Sequence, residues 1–209
     1  MKATLKQKNL RRPTRNNTLV VRKDMTVPRL FLAIPLPDET KAALRALQPV
    51  AQRGVRPAAS DQMHLTLHFI GPAEIDRLAE ELGRVRCEPF PLTIRGVGHF
   101  ETARNTITLW AGVDPSPPLL DLHRVLGERL ASLNLPLDSR PFSPHITLAR
   151  GERPLMTDLL ETLAADHSHF QLPTVPVSEF QLYSSTLHPT GPVYTIERRF
   201  ELTMAAGSR

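Results

Sequence analysis

One four-residue pattern, His-apolar-Thr-apolar, occurs twice in this chain. It stands as "HLTL" at residues 64–67 and as "HITL" at 145–148, 81 residues apart. On a strand, successive side chains alternate between faces, so each copy sets its His and Thr on one face and its two apolar residues on the other. A single copy is weak evidence in a chain of 209 residues. Two copies at matching places in a repeat constrain the fold strongly. Around each copy the patterning runs helix, strand, helix, strand, strand, and the first half carries one extra strand, "RLFLAIPL" (29–36), in front. This order indicates an internal duplication of roughly 80 residues. Helices interleaved with hairpin-connected strands give an α+β class with antiparallel sheets. The expectation is a bilobal fold of two pseudo-symmetric lobes, each with its own sheet and helices. The two motif strands would then meet face to face across a cleft.

The elements around the motifs are bounded by ordinary punctuation. "RLFLAIPL" is a buried strand stopped at Pro35 and Pro37. "DETKAALRAL" is a helix with Asp38 as its expected N-cap and Ala43, Leu44 and Leu47 inward. "PAEIDRLAEELGRV" buries Ile75, Leu78, Ala79, Leu82 and Val85 on one face. "FPLTIRGV" and "NTITLWAGV" are strands. Ser116 is expected to cap the helix of 116–134, with Pro117 at its first turn and Asn134 at its stop. "FSPHITLA" is a strand, "MTDLLETLAA" a short helix, and "PVSEFQLYSSTL" and "PVYTIERRFEL" close the chain as strands.

A cleft lined by two histidines and two threonines suits phosphate chemistry. Histidine titrates near pH 6.5, so one ring can accept a proton while the other donates. The hydroxyls of Thr66 and Thr147 can donate to phosphate oxygens. Arg150, three residues beyond Thr147, offers a guanidinium fork that matches phosphate. His68 shares the face of His64 by spacing, but Ala149 stands at the matching place in the second half, so His68 is assigned a structural part. Strand spacing puts His64 and His68 ~13 Å apart, too far to share an ion. With no HExxH and no P-loop, neither a metal nor a cofactor is expected. His99, His123, His167, His169 and His188 carry no spacing argument, and "HSH" at 167–169 is expected to face solvent. Cys87 is assigned to packing. Tyr183 is a possible wall of the cleft.

With these residues in place, the paired "HLTL" and "HITL" resemble the two HxTx motifs of the two-histidine phosphoesterase superfamily. "RLFLAIPLP", "HLTLHFIG", "RPFSPHITLAR" and "LYSSTLHPTGPVY" together resemble the bacterial RNA 2′,3′-cyclic phosphodiesterases, long called 2′-5′ RNA ligases. The likeness runs from about Val27 to Leu202. It implies a bilobal α+β fold and hydrolysis of RNA 2′,3′-cyclic phosphodiester ends to 2′-phosphomonoesters, with weak reversible 2′-5′ ligation. It implies His64 as proton donor to the leaving 3′ oxygen and His145 as proton acceptor. Thr66, Thr147 and Arg150 match phosphate contacts, and Phe31 matches a position where an aromatic stacks on a base. Two similar motifs give no reason in the residues themselves for which histidine is acid and which is base. A non-catalytic binder of RNA terminal phosphates is the alternative. A nucleotide-driven ligase would need a lysine nucleophile, and Lys41 alone stands beyond the N-terminal segment.

Charge separates that segment from the rest. Residues 1–27 hold eight basic side chains against Asp24, whereas the remaining residues hold 18 basic and 20 acidic ones, a net −2. Four of the five lysines lie in the segment. Residues 1–26 are therefore set apart as a basic flexible tail, an added leader, or an upstream extension of a protein that starts at Met25, the last being preferred. Residues 27–209 are expected to form one bilobal domain. Its small net charge favours RNA ends or small cyclic nucleotides over long tracts. A single cysteine suits a reducing cytoplasm, no apolar run is long enough to span a membrane, and a monomer is expected.

Overall fold

The computed structural model describes residues 29–102, 105–157, 160, 170–188 and 191–203. The basic segment, the "HSH" histidines and most of the helix expected at 156–165 lie outside them.

Strand β1 (Arg29–Pro35) is followed by helix α1 (Asp38–Arg45), the short strand β2 (Val55–Pro57), a 3₁₀ turn (Ser60–Gln62) and the motif strand β3 (His64–Gly71). Helix α2 (Ile75–Leu82), β4 (Phe90–Leu92) and β5 (Ile94–Glu101) complete the first repeat. The second runs β6 (Thr106–Val113), α3 (Pro117–Ser132), the motif strand β7 (His145–Glu152), β8 (Val175–Val177) and β9 (Glu179–His188), and β10 (Gly191–Glu201) follows. Both repeats thus open on a strand, and the extra strand without a counterpart in the other repeat is the last one, β10, not the first. The run "FPLTIRGV" breaks at Thr93 into two strands in different sheets. The N-cap of α1 is Pro37, which puts Asp38 in the first turn, where its charge favours the helix dipole. Ser116 does occupy the N-cap of α3, but its side chain makes no capping bond. Asn134 adopts positive φ just past α3, the left-handed conformation that ends helices.

The main strands of the two repeats join in one sheet. Among the described residues, one antiparallel sheet runs β10–β9–β1–β3–β7–β6–β5, with β2 also on β7, and β4 pairs with β8 apart from it. The two halves of the sheet meet at β3 and β7 through a single registered pair, Leu65 and Ile146. Those residues are repeat equivalents, so the pseudo-twofold passes between them. The motif strands therefore lie side by side in one sheet rather than face to face. The repeats also exchange strands. β5 of the first pairs with β6 of the second, and β9 of the second pairs with β1 of the first.

One side of the sheet is covered by helices. Leu65, Leu67, Ile146 and Leu148 join Leu44 of α1, Leu78 and Leu82 of α2, and Leu119, Leu122, Leu126 and Leu130 of α3 in the main core. Removing any of these leucines to alanine-sized volume costs about 2–5 kcal/mol in comparable cores. The opposite side carries a second, small apolar cluster of Phe31, Ala33 and Tyr183, with Tyr194 against it. That side holds the motif histidines.

Candidate active site

Strict alternation would give β3 and β7 a simple two-faced pattern, and neither strand has one. The β1–β3 register skips Leu67, and the β6–β7 register skips Leu148. These positions are 81 residues apart, so each motif carries the same β-bulge at its last apolar residue. The bulge flips everything beyond it. Arg150, which alternation would send to the core side, comes round to the side of His145 and Thr147. Phe69, its repeat equivalent, comes round to the side of His64 and Thr66. His68 turns the other way, onto α3, so the shared face expected for His64 and His68 does not form. There His68 Nε2 lies 2.8 Å from the His123 carbonyl, and its ring stacks on His123, which stacks in turn on Phe142. Burial of the two rings lowers both histidines, His123 to about 4. Both stay neutral at pH 7, which suits a packed stack.

On the open side, His64, Thr66, His145, Thr147 and Arg150 all line one cavity of about 440 Å³, together with Phe31, Phe69 and Tyr194. Around the Leu65–Ile146 pair the antiparallel register brings His64 level with Thr147 and Thr66 level with His145. The two histidines have different surroundings. His64 packs among Phe31 (ring centroids 5.0 Å), Tyr194 (5.4 Å) and Tyr183 (5.8 Å). Its Nδ1 is buried and has no hydrogen-bond partner among the described residues. Burial, then the positive charge of Arg150, then His145 and Lys41, lower it to about 4. His145 packs edge-on against Phe100 (4.9 Å) and near Trp110 (6.3 Å). Its Nδ1 lies 2.7 Å from the Ser143 carbonyl. A carbonyl only accepts, so Nδ1 carries the proton and Nε2 the lone pair when the ring is neutral. Burial lowers His145 as well, the Ser143 contact opposes this, and Arg150 adds to it. Arg150 is exposed and makes no ion pair among the described residues.

Phe31 is 3% exposed, stacked on Tyr183 at 5.1 Å and 9° and edged by Tyr194. The ring standing in the cavity mouth is Phe69, 61% exposed. Tyr183 is buried behind Phe31, and its hydroxyl donates to Gln181 Oε1 at 2.5 Å. Sequence reasoning did not find Phe69, Tyr194, Trp110, Phe100 or the Ser143 carbonyl. Only Phe69 had a usable signal, its 81-residue offset from Arg150. Trp110 depends on its neighbour across the hairpin. Gly98 pairs with it, and a Cβ there would stand 2.3 Å from the indole ring. Gly98→Ala is expected to destabilise the protein by about 1–3 kcal/mol, as overpacking does, seen as a lower Tm, and to loosen the ring beside His145.

The chain is similar to known proteins over most of its length. The family model of the 2′-5′ RNA ligase superfamily matches residues 36–189. An RNA 2′,3′-cyclic phosphodiesterase of Thermotoga maritima is 34% identical, over 83% of this chain and 96% of the relative. The Escherichia coli RNA 2′,3′-cyclic phosphodiesterase is 33% identical, over 84% of this chain and 97% of its own. The crystal structure of E. coli LigT with 3′-AMP superposes with a TM-score of 0.65 at 31% identity, covering 85% of this chain and 99% of that one. A Thermus thermophilus structure gives 0.67 at 31%, covering 84% and 98%. With the duplicated HxTx strands joined at one cavity and the family match spanning most of the chain, this protein belongs to the 2′-5′ RNA ligase superfamily.

Proposed function

We propose that this protein hydrolyses RNA 2′,3′-cyclic phosphodiester ends to 2′-phosphomonoesters, with weak, reversible 2′-5′ ligation as the side reaction in which an RNA 5′-hydroxyl takes the place of water. The observation that carries the reading is the convergence of both HxTx pairs and Arg150 on one 440 Å³ cavity. Curated relatives at 30–34% identity that bear the name of this activity support it.

In this reading His145 is the base. Its Nδ1–H is held by Ser143, which leaves Nε2 free to take a proton from water as the water oxygen bonds to phosphorus. The bond from phosphorus to the 3′ oxygen breaks, and protonated His64 gives its proton to that oxygen. The products are a free 3′-hydroxyl and a 2′-phosphate, and the histidines exchange protons with solvent to reset. Thr66 and Thr147 donate to the non-bridging oxygens, and Arg150 offsets the charge that builds there. The exposed Phe69 ring takes the terminal base, and Phe31 supports it from beneath. The active unit is residues 27–209, acting as a monomer in the cytoplasm without metal or cofactor. No described helix is long and apolar enough to cross a membrane.

The test is product analysis on an oligoribonucleotide with one defined 2′,3′-cyclic end, in EDTA. A 2′-phosphate is the expected product. A 3′-phosphate overturns the assignment of His64 as donor to the 3′ oxygen. Loss of turnover in EDTA overturns the metal-free chemistry. Tight binding with no product makes the protein a binder of terminal phosphates instead.

A further inference from the structure

A second, larger hollow of about 750 Å³ adjoins the catalytic cavity, and the two share Ala58, Gln62, Thr147 and Arg150 as walls. Its far side is formed by β2 and the turn before it, which bring in Arg53 and Arg56. Arg56 stands directly opposite Arg150 in the β2–β7 register. Residues so paired lie on the same face with Cβ atoms about 5 Å apart, and like charges there repel. Neither arginine, nor Arg53, forms an ion pair among the described residues. One carboxylate, Glu152, also lines the hollow, but no salt bridge ties it to any of the three. A strand end that sets two arginines side by side and, among the described residues, leaves both without an ion pair is suited to an anion coming between them.

We propose that this groove, through Arg53 and Arg56, holds the phosphodiester backbone leading into the cyclic end, so that the phosphates upstream of that end make an oligoribonucleotide a better substrate than a cyclic mononucleotide. The proposal rests on the cavity being the cyclic phosphodiesterase site. The terminal phosphate sits at Arg150, and the chain continues over Thr147 toward Arg56 and Arg53, which take the one or two preceding phosphates. The groove is short, in keeping with a domain whose net charge beyond the N-terminal segment is −2. It favours a chain end over a long tract. Guanidinium forks are the better choice here, since they grip a phosphate through two parallel bonds.

The experiment compares kcat/KM on a 2′,3′-cyclic mononucleotide with kcat/KM on a tetraribonucleotide carrying the same cyclic end, at 50 and 200 mM salt. The natural protein is expected to prefer the tetranucleotide by tenfold or more at low salt. Two phosphate contacts on a single strand predict that this preference falls about sevenfold over the fourfold rise in salt. Arg53→Glu with Arg56→Glu is expected to abolish the preference and its salt dependence. Arg53→Gln with Arg56→Gln, which removes charge alone, is expected to do the same and guards against misfolding of the first variant. Arg77→Glu, the same charge change on an exposed site outside the groove, is expected to keep the preference. Equal use of both substrates by the natural protein, or a preference unmoved in the glutamine variant, overturns the groove. If neither substrate is turned over, the cyclic phosphodiesterase reading itself fails. In that case anisotropy of a labelled tetranucleotide decides the groove, which stands only if binding weakens in the glutamine variant.

Discussion

His145→Ala is expected to lower kcat on a cyclic-ended oligoribonucleotide by about 10²–10⁴-fold, and His64→Ala by a similar factor. Each replacement removes one proton transfer from a step that needs both, so the two losses do not add as independent terms. The pH profiles separate their roles. A base works deprotonated, so the rate rises with pH through the pKa of His145. An acid works protonated, so the rate falls as pH rises through that of His64. Alanine at 145 is therefore expected to erase the acid limb, and alanine at 64 the alkaline limb. The positions of the limbs carry further information. In the free protein His64 sits at about 4, so at pH 7 about one molecule in a thousand holds the donor proton. An anionic substrate against the ring raises that pKa, because it favours the charged form. The alkaline limb of kcat, which reports the complex, is thus expected at higher pH than that of kcat/KM, which reports the free protein. The reverse order, or an alkaline limb that survives in His64→Ala, contradicts His64 as the acid.

Arg150→Ala is expected to lower kcat by about 10²–10³-fold, the usual loss of a donor aimed at developing oxyanion charge. It should also move the pH optimum. Arg150 lowers both histidines, so its removal lets each hold a proton at higher pH. Both limbs then shift alkaline while the ceiling of the profile drops. Arg150→Lys keeps the charge and loses the fork. It is expected to restore the limbs to their original positions but only part of the rate. A purely structural arginine would move the rate and leave the limbs where they were. Stopped assays across pH 4 to 9 with all three proteins distinguish these outcomes.

The duplicated His-x-Thr-x pattern was enough to find the pair of strands, the four polar side chains and the class of fold. These are local properties, fixed by alternation and by a repeat in one dimension. Arg150 was chosen for its chemistry, although simple alternation argued against its face. The matching bulges at Leu67 and Leu148 resolve this, and alternation cannot show a bulge because both its positions are ordinary leucines. The same blindness misplaced His68. The rest depends on partners distant in the chain. Trp110 reaches His145 across a strand pair, Tyr194 arrives from β10, and β2 is three residues long. The difference between the histidines was also hidden, since the Ser143 carbonyl is a backbone atom whose direction no side-chain pattern records.

The exchange of strands between the repeats bears on what one repeat could do alone. A chain holding one repeat would keep its first strand on its motif strand but leave its last strand unpartnered, since that strand pairs with the other copy. Its smallest closed form is a dimer of two identical chains, with the twofold axis at the leucine–isoleucine position and two equivalent histidines across it. In such a dimer neither histidine could be dedicated to giving or taking a proton. One chain carrying both copies is free of that symmetry, and the Ser143 carbonyl, which steadies His145 while Nδ1 of His64 meets no counterpart among the described residues, breaks it.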